Sequence, residues 1–113
     1  MDRETFVDAV RRVVRDAAVA DTLVVLSRPP GRRPEESLVS LSAWFDELAP
    51  PDRERLEQVI EMAANFSTFA FLSILDGARA IDDEGGTLDL PYRNGIENVS
   101  LNGEAGSTLH ELL

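Results

Sequence analysis

Few side chains in this sequence are suited to catalysis or to metal binding. Cysteine is absent, which excludes thiolate nucleophiles, disulfides and cysteine-ligated zinc. His110 is the only histidine, so sites that need two imidazoles are excluded as well. No serine lies in the Gly-x-Ser-x-Gly setting of a nucleophile elbow. The sequence therefore predicts no catalytic residue, no metal site and no cofactor, with His110 at the surface or packed under the C-terminal tail.

Asp76 is the one carboxylate placed where catalysis could use it. It follows directly on the apolar run from Phe66 to Leu75, and surroundings of that kind can prepare a carboxyl group for acid–base chemistry. A small hydrolase that uses Asp76 is therefore one hypothesis. The other is structural: Asp76 precedes Gly77 at the end of a helix, and its carboxylate reaches Arg79 or an exposed backbone amide.

The acidic run Asp82, Asp83 and Glu84 stands before two glycines, Gly85 and Gly86. Its spacing does not fit the alternating acids of a calcium-binding loop. It is typical of a solvated turn, and it could also form an edge that binds a protein. The candidate residues for binding a protein partner are Asp82, Asp83, Glu84, Asp89 and Glu97.

The charge of the chain limits its partners. The formal net charge is −10, from 21 acids and 11 bases, and every base is arginine. Residues 1–33 hold seven arginines and five acids, whereas residues 34–113 hold four arginines and sixteen acids. Such a chain repels phosphates, so we expect no nucleic acid and no anionic membrane among its partners. A basic protein surface is the favoured partner.

A first amphipathic helix is predicted from apolar residues at helical spacing, with Asp2 or Thr5 as its cap. Its apolar stripe comprises Phe6, Val10, Val13, Val14 and Ala17. The apolar residues 23–26 either extend this helix or begin a second one. Three prolines and a glycine then break the helix, in a loop whose Arg28, Arg32 and Arg33 either grip an anion or pair with the glutamates that follow.

Two further helices follow in the sequence. The second runs from Pro34 or Glu35 to Leu48 and ends before two prolines, while the third runs from Asp52 to Asp76 and stops at Gly77. The third helix is apolar nearly all round in its second half, which predicts a central position, covered on several sides. Its predicted buried stripe comprises Leu56, Val59, Ile60, Ala63, Phe66, Ala70, Ile74 and Leu75.

The aromatic residues of these two helices are predicted to be core. They are Trp44, Phe45, Phe66, Phe69 and Phe71. Three phenylalanines within six residues leave at least one directed away from the core, so Phe69 and Phe71 are candidates for a dimer seam.

Strand-like alternation begins at Thr87 and continues to Tyr92, and the Asn94–Gly95 pair favours a two-residue hairpin turn. Pro91 confines this strand to an edge or a bulge. Ser107 could cap one closing helical turn. The predicted fold is α+β and mainly helical, a single domain over residues 1–113: three helices, a β-hairpin and a short C-terminal helical turn.

Localisation signals are not expected in this sequence. Its beginning, Met1 to Glu4, is polar where a signal peptide is basic and then apolar. The most apolar stretch is ten residues long, about half of a membrane crossing. We therefore expect a cytoplasmic protein that crosses no membrane.

Part of the chain resembles small uncharacterised bacterial domains, some of them similar to immunity proteins of polymorphic or contact-dependent toxin systems. The resemblance lies in the stretch from Phe69 to Gly77, the strand residues Leu88 to Leu90, the pair Leu101 and Asn102, and the ending from Leu109 to Leu113. It implies a single-domain cytoplasmic protein that neutralises a cognate toxin by binding it, with no catalytic residues.

Three hypotheses for function follow. The first is a non-enzymatic acidic domain, most concretely an immunity-type inhibitor of a basic toxin. The second is a homodimeric structural or regulatory module that uses the aromatic half of the third helix. The third is the small hydrolase that uses Asp76.

Overall fold

The chain begins with one long helix in the computed structural model, which describes residues 1–103 and 108–113. Helix α1 (Arg3–Val10) continues through a π-helical segment (Arg11–Asp16) into α2 (Ala17–Ser27), and we call the three together the N-terminal helix. Residues 23–26 therefore extend the first helix. Asp2 is its cap, as predicted: Oδ1 of Asp2 accepts a hydrogen bond of 2.8 Å from the backbone N–H of Thr5.

The predicted apolar stripe of this helix is only partly buried. Val7, which lies outside the predicted stripe, is buried, Phe6 and Val10 pack partly against the core, and Val13 and Val14 are exposed. The π-helical segment accounts for the exposure of Val13 and Val14, because its hydrogen bonds span five residues rather than four. The 3.6-residue period from which the stripe was predicted is therefore interrupted at residue 11.

The next two helices are α3 (Glu36–Glu47) and α4 (Pro50–Leu75). The structure corrects the predicted start of α4 at Asp52, since Pro50 and Pro51 are its first two residues. Proline is tolerated there because the first N–H groups of a helix have no partner within it. Gly77, with φ of +77°, follows the end of α4 as predicted.

Helix α4 lies antiparallel to the N-terminal helix. Val7 meets Leu72 in the buried core, and Nη1 of Arg15 donates to Oδ1 of Asn65 at 3.2 Å. Helix α3 packs against α2. The short helix α5 (Leu109–Leu112) packs against both α4 and α1, and its Leu109 completes the core. Ser107, the predicted cap of α5, lies outside the described residues, and Thr108 occupies the position before the helix.

The predicted buried face of α4 is right only in part, since Leu56, Ala70, Ile74 and Leu75 are half-buried, and its predicted central position is wrong. Its buried residues are Thr68, Leu72 and Ser73, with Ile60 and Ala64 partly covered, while Val59, Ala63 and Phe66 are exposed. The N-terminal helix and α5 are the helices that pack against α4 in the described residues, and they leave much of its length exposed. A helix that is apolar all round offers several stripes at helical spacing, and the neighbouring helices decide which of them is buried.

A two-stranded antiparallel hairpin follows, shorter than predicted. Strand β1 (Pro91–Arg93) pairs with β2 (Asn98–Ser100), with Arg93 opposite Asn98. Four residues therefore connect the strands, which corrects the predicted two-residue turn. Gly95 has the expected positive φ, +88°, and Oδ1 of Asn94 accepts from the backbone N–H groups of residues 96 and 97. The predicted α+β fold, mainly helical with a hairpin and a short last helix, is confirmed.

Candidate functional site

The candidate site is the acidic segment, which we define as residues 77–89 between α4 and the hairpin. All of its residues are exposed. Oδ1 of Asp82 accepts a hydrogen bond of 3.1 Å from the backbone N–H of Glu84, so the acids are held in a turn. None of the ion pairs in the described part of the chain involves Asp82, Asp83, Glu84 or Asp89. Their negative charge therefore faces solvent.

Glu97 is placed differently from the other candidate acids. Its carboxylate forms an ion pair with the N-terminal ammonium group of Met1 and is part-buried. It therefore ties the hairpin loop to the start of the chain, and part of its charge is neutralised. Asp89 lies at the other end of the acidic segment, in the wall of a cavity.

Exposed apolar side chains lie beside the acids. Ile81 and Leu88 belong to the acidic segment, and Ile96 at the tip of the hairpin loop is 95% exposed. An isolated exposed apolar residue is ordinary, but apolar residues rimmed by polar ones are the arrangement of a protein-binding surface, in which the charges lie at the rim. The acidic segment therefore combines charge with apolar side chains able to anchor a partner.

Asn102 fixes the acidic segment to the end of α4. Its Nδ2 donates to the carbonyl oxygens of Leu75 (2.6 Å) and Leu88 (2.7 Å), and its Oδ1 accepts from the N–H of Leu90 (2.8 Å). Three hydrogen bonds of one side-chain amide thus join two stretches of backbone, the end of α4 and residues 88–90. The sequence analysis gave Asn102 no such role, because a single asparagine in a loop carries no local pattern.

Asp76 and His110 form a buried pair at the end of α4. Oδ2 of Asp76 accepts from the backbone N–H of His110 at 2.9 Å and from its ring Nδ1 at 2.7 Å, and the Asp76 side chain is 2% exposed. An ionised carboxylate only accepts hydrogen bonds, so Nδ1 carries the proton. Phe69 meets the imidazole edge to face, with ring centres 5.3 Å apart. The predicted contact of Asp76 with Arg79 is wrong; the backbone amide that it reaches is that of α5.

This pair resembles two members of a catalytic triad, but the structure does not extend it to a third. Among the described hydrogen bonds, none joins the His110 ring to a hydroxyl group. A cavity of about 230 Å³ lies beside Asp76, between the end of α4 and the acidic segment, and His110 does not line it. Within residues 1–103 and 108–113, no group of three or more His, Asp or Glu side chains could hold a metal ion. The geometry suits a structural tie between α4 and α5.

A second surface runs along α4 on the side away from the N-terminal helix. We call it the α4 stripe, and it consists of Val59, Met62, Phe66 and Phe69. Phe71 is also exposed, but two residues along a helix correspond to about 200° of rotation, so Phe69 and Phe71 lie on different sides. Of the two predicted seam residues, Phe69 belongs to the stripe and Phe71 does not.

Of the aromatic residues predicted on α3 one is buried, and the basic loop is exposed. Phe45 is buried, with the guanidinium of Arg53 4.7 Å from its ring centre, whereas Trp44 is half-exposed. The basic loop, residues 28–33, is exposed apart from Pro29. Its three arginines do not appear in any ion pair of the described residues, so the predicted pairing with the following glutamates is not formed.

Helix α4 is also the one helix in the described part of the chain that is long and apolar enough to cross a membrane. It has 26 residues, and its mean hydropathy reaches 1.3. The sequence estimate considered only its last ten residues and missed the apolar residues before them. Length and composition of this kind also occur in core helices of soluble proteins, and one face of α4 is packed against protein.

Comparison of the chain with protein-family models, with curated proteins and with solved structures gives no match. The site must therefore be interpreted from its own geometry.

Proposed function

We propose that this chain is a non-catalytic protein-binding domain whose acidic segment contacts a basic protein. One observation carries the proposal. The segment is exposed along its whole length, and its four carboxylates have no ion-pair partner in the described residues, while Ile81 and Leu88 stand exposed among them.

Electrostatics supports a basic partner. Residues 34–113 hold sixteen acids against four arginines, and the acidic segment belongs to this part. A field of one sign raises the rate at which an oppositely charged protein is met, and it disfavours partners of like charge. Exposed apolar residues then add contact area that is removed from water on binding. Nucleic acid and anionic membranes do not suit such a surface.

The specific form that we propose is an immunity-type inhibitor acting in the cytoplasm. Such a protein neutralises a toxin by covering a cationic active site, which requires an acidic surface and no chemistry of its own. Support for this form comes from the exposed acids and from the stretches within residues 69–113 that resemble small bacterial domains, some of them similar to immunity proteins.

The experiment measures association with each positively charged protein that sequencing finds encoded next to this gene, purified as an inactivated variant. We expect the association rate to fall steeply as sodium chloride is raised from about 0.05 M to about 0.5 M, because salt screens exposed charges. A triple variant of the acidic segment, Asp82→Asn with Asp83→Asn and Glu84→Gln, should bind about tenfold more slowly.

The matched control removes the same three charges elsewhere. Glu47→Gln with Glu54→Gln and Glu57→Gln changes exposed residues of α3 and α4, far along the chain from the acidic segment. We expect this control to slow association by only about twofold, through net charge alone. Equal effects of the two triple variants would show that the acidic segment has no special role.

A further inference from the structure

The α4 stripe has the spacing of a helix-pairing seam. Its residues, Val59, Met62, Phe66 and Phe69, are separated by three, four and three positions, which is the a and d spacing of a coiled coil. All four are exposed, Phe66 to 64%. The opposite side of α4, with Ile60, Ala64 and Thr68, faces the N-terminal helix. The stripe is therefore a second apolar face of a helix whose first face is already packed.

The chain exposes more surface than a folded monomer of its size. A compact monomer of 12.4 kDa exposes about 6,100 Å², whereas this chain exposes 8181 Å². Its radius of gyration is 18.1 Å, compared with about 13 Å for a compact domain of this length. The excess of about 2,000 Å² is larger than the roughly 800 Å² per partner that a standard stable interface buries. The chain therefore exposes enough surface for an interface of standard size.

We infer that the α4 stripe is covered by the α4 stripe of a second copy of this chain, with the two helices antiparallel. A two-fold interface must be complementary to itself. The stretch from Met62 to Leu75 contains no acidic or basic residue, so two copies can meet there without burying charge. Elsewhere the net charge of −10 disfavours contact between copies.

The charges at the two ends of α4 fix the orientation. The N-terminal helix and α4 are antiparallel, as the contacts of Val7 with Leu72 and of Arg15 with Asn65 show. The end of α2 therefore lies near the start of α4, and the basic loop that follows α2 lies at the same end. The acidic segment follows the other end of α4. A parallel pair would bring two acidic segments together, whereas an antiparallel pair separates them and brings each to the end that carries the partner copy's basic loop.

The register follows from the symmetry. The stripe is centred between Met62 and Phe66, so an antiparallel pair places Met62 opposite Phe66 of the other copy and Val59 opposite Phe69. The acidic segments then lie at opposite ends of the dimer, outside the seam formed by the two stripes. The dimer is therefore separate from the proposed function, and each can fail without the other.

The first test measures mass in solution by analytical ultracentrifugation at about 10 μM, where an interface that buries roughly 800 Å² per partner is stable. The whole chain should sediment at twice 12.4 kDa. Phe66→Glu should weaken the dimer at least a hundredfold, since it places a charge in the seam. Phe71→Glu is the matched control, because Phe71 is 62% exposed on another side of the same helix, and it should leave the dimer intact. A monomeric wild-type chain, or equal effects of the two variants, would overturn the inference.

The second test determines orientation. The chain has no cysteine, so introduced thiols are the only ones present. Val59→Cys combined with Phe69→Cys should cross-link the copies on oxidation, whereas Val59→Cys alone should not, because its two thiols would be about 15 Å apart along the helices. Efficient cross-linking of the single variant would show a parallel pair and contradict the proposed orientation.

A third measurement separates a protein partner from a lipid surface, given the length of α4. The purified chain is floated with phosphatidylcholine vesicles. The dimer should stay in the soluble fraction. Flotation of the wild-type chain, lost in Phe66→Glu, would assign the stripe to the bilayer and overturn the inference. A monomer that stays soluble and still binds the basic protein would overturn the dimer while leaving the proposed function intact.

Discussion

His110 donates two hydrogen bonds to one oxygen of Asp76, from its ring at 2.7 Å and from its backbone N–H at 2.9 Å. The two residues are 34 positions apart, at the end of α4 and in the four-residue helix α5. A helix of one turn is not stable by itself. The two hydrogen bonds to Asp76, together with the buried Leu109, therefore hold α5 in place.

Replacing Asp76 with alanine should lower the free energy of unfolding by about 2–3 kcal/mol, because two buried donors of His110 lose their acceptor. Urea denaturation followed by circular dichroism measures this. Asp89→Ala is the control, since Asp89 lines the same cavity but is exposed and should change stability by less than about 0.5 kcal/mol. If the two variants lose the same stability, the bonds to His110 contribute nothing of their own.

Replacing Asn102 with aspartate should be more disruptive than its small change in shape suggests. An ionised aspartate cannot donate to the carbonyl oxygens of Leu75 and Leu88, and it places negative charge beside them. We expect a loss of about 2–3 kcal/mol. Amide hydrogen exchange at Leu90, whose N–H donates to Asn102, should accelerate.

The control for this variant is Asn98→Asp in strand β2. The Asn98 side chain is exposed and accepts one hydrogen bond of 3.3 Å, from Nε of Arg93, which an aspartate can also accept. Its stability should change by less than about 0.5 kcal/mol. An aspartate at position 102 can still accept from the N–H of Leu90, so unchanged stability together with unchanged exchange would show that the two bonds to the carbonyl oxygens of Leu75 and Leu88 do not hold the acidic segment.

The local features of this fold follow from the sequence, because each depends on a few neighbouring residues. The cap at Asp2, the end of α4 before Gly77 and the positive φ of Gly95 depend on side-chain reach and on the absence of a Cβ. The start of α4 is ambiguous in the sequence, because Pro50 and Pro51 can end the preceding helix or occupy the first turn of the next one.

The faces of the helices could not be predicted in the same way. Val59 and Phe66 have helical spacing that suits a buried stripe as well as Ile60 and Ala64 do, and only the position of the N-terminal helix distinguishes them. In the candidate site, too, local features follow from the sequence and contacts between distant residues do not. The acidic segment was visible as composition, whereas the bonds of Asn102 and the pairing of Asp76 with His110 join residues distant in sequence.

Gly77→Ala should destabilise the chain by about 1–2 kcal/mol, the cost of a left-handed backbone for a residue with a Cβ. Space is not the cause, because nothing lies within 4 Å of the added atom at φ of +77°. Gly86→Ala is the matched control: its φ is not positive and its nearest neighbour would be 3.8 Å away. It should be neutral or slightly stabilising. Thermal unfolding of both variants distinguishes the backbone effect from any general sensitivity of the segment.

Asp2 should make stability depend on pH in a predictable direction. Hydrogen bonds from the Thr5 side chain and from its backbone N–H hold the pKa of Asp2 below its usual range. A group whose pKa is lower in the folded state stabilises it above the unfolded pKa, and this contribution is lost as the pH falls through the folded pKa. Asp2→Ala should therefore lower the urea midpoint at neutral pH, and the gap to the wild type should narrow on acidification. A gap for Asp2→Ala that stays constant to strongly acid pH would show that its carboxylate does not cap the helix.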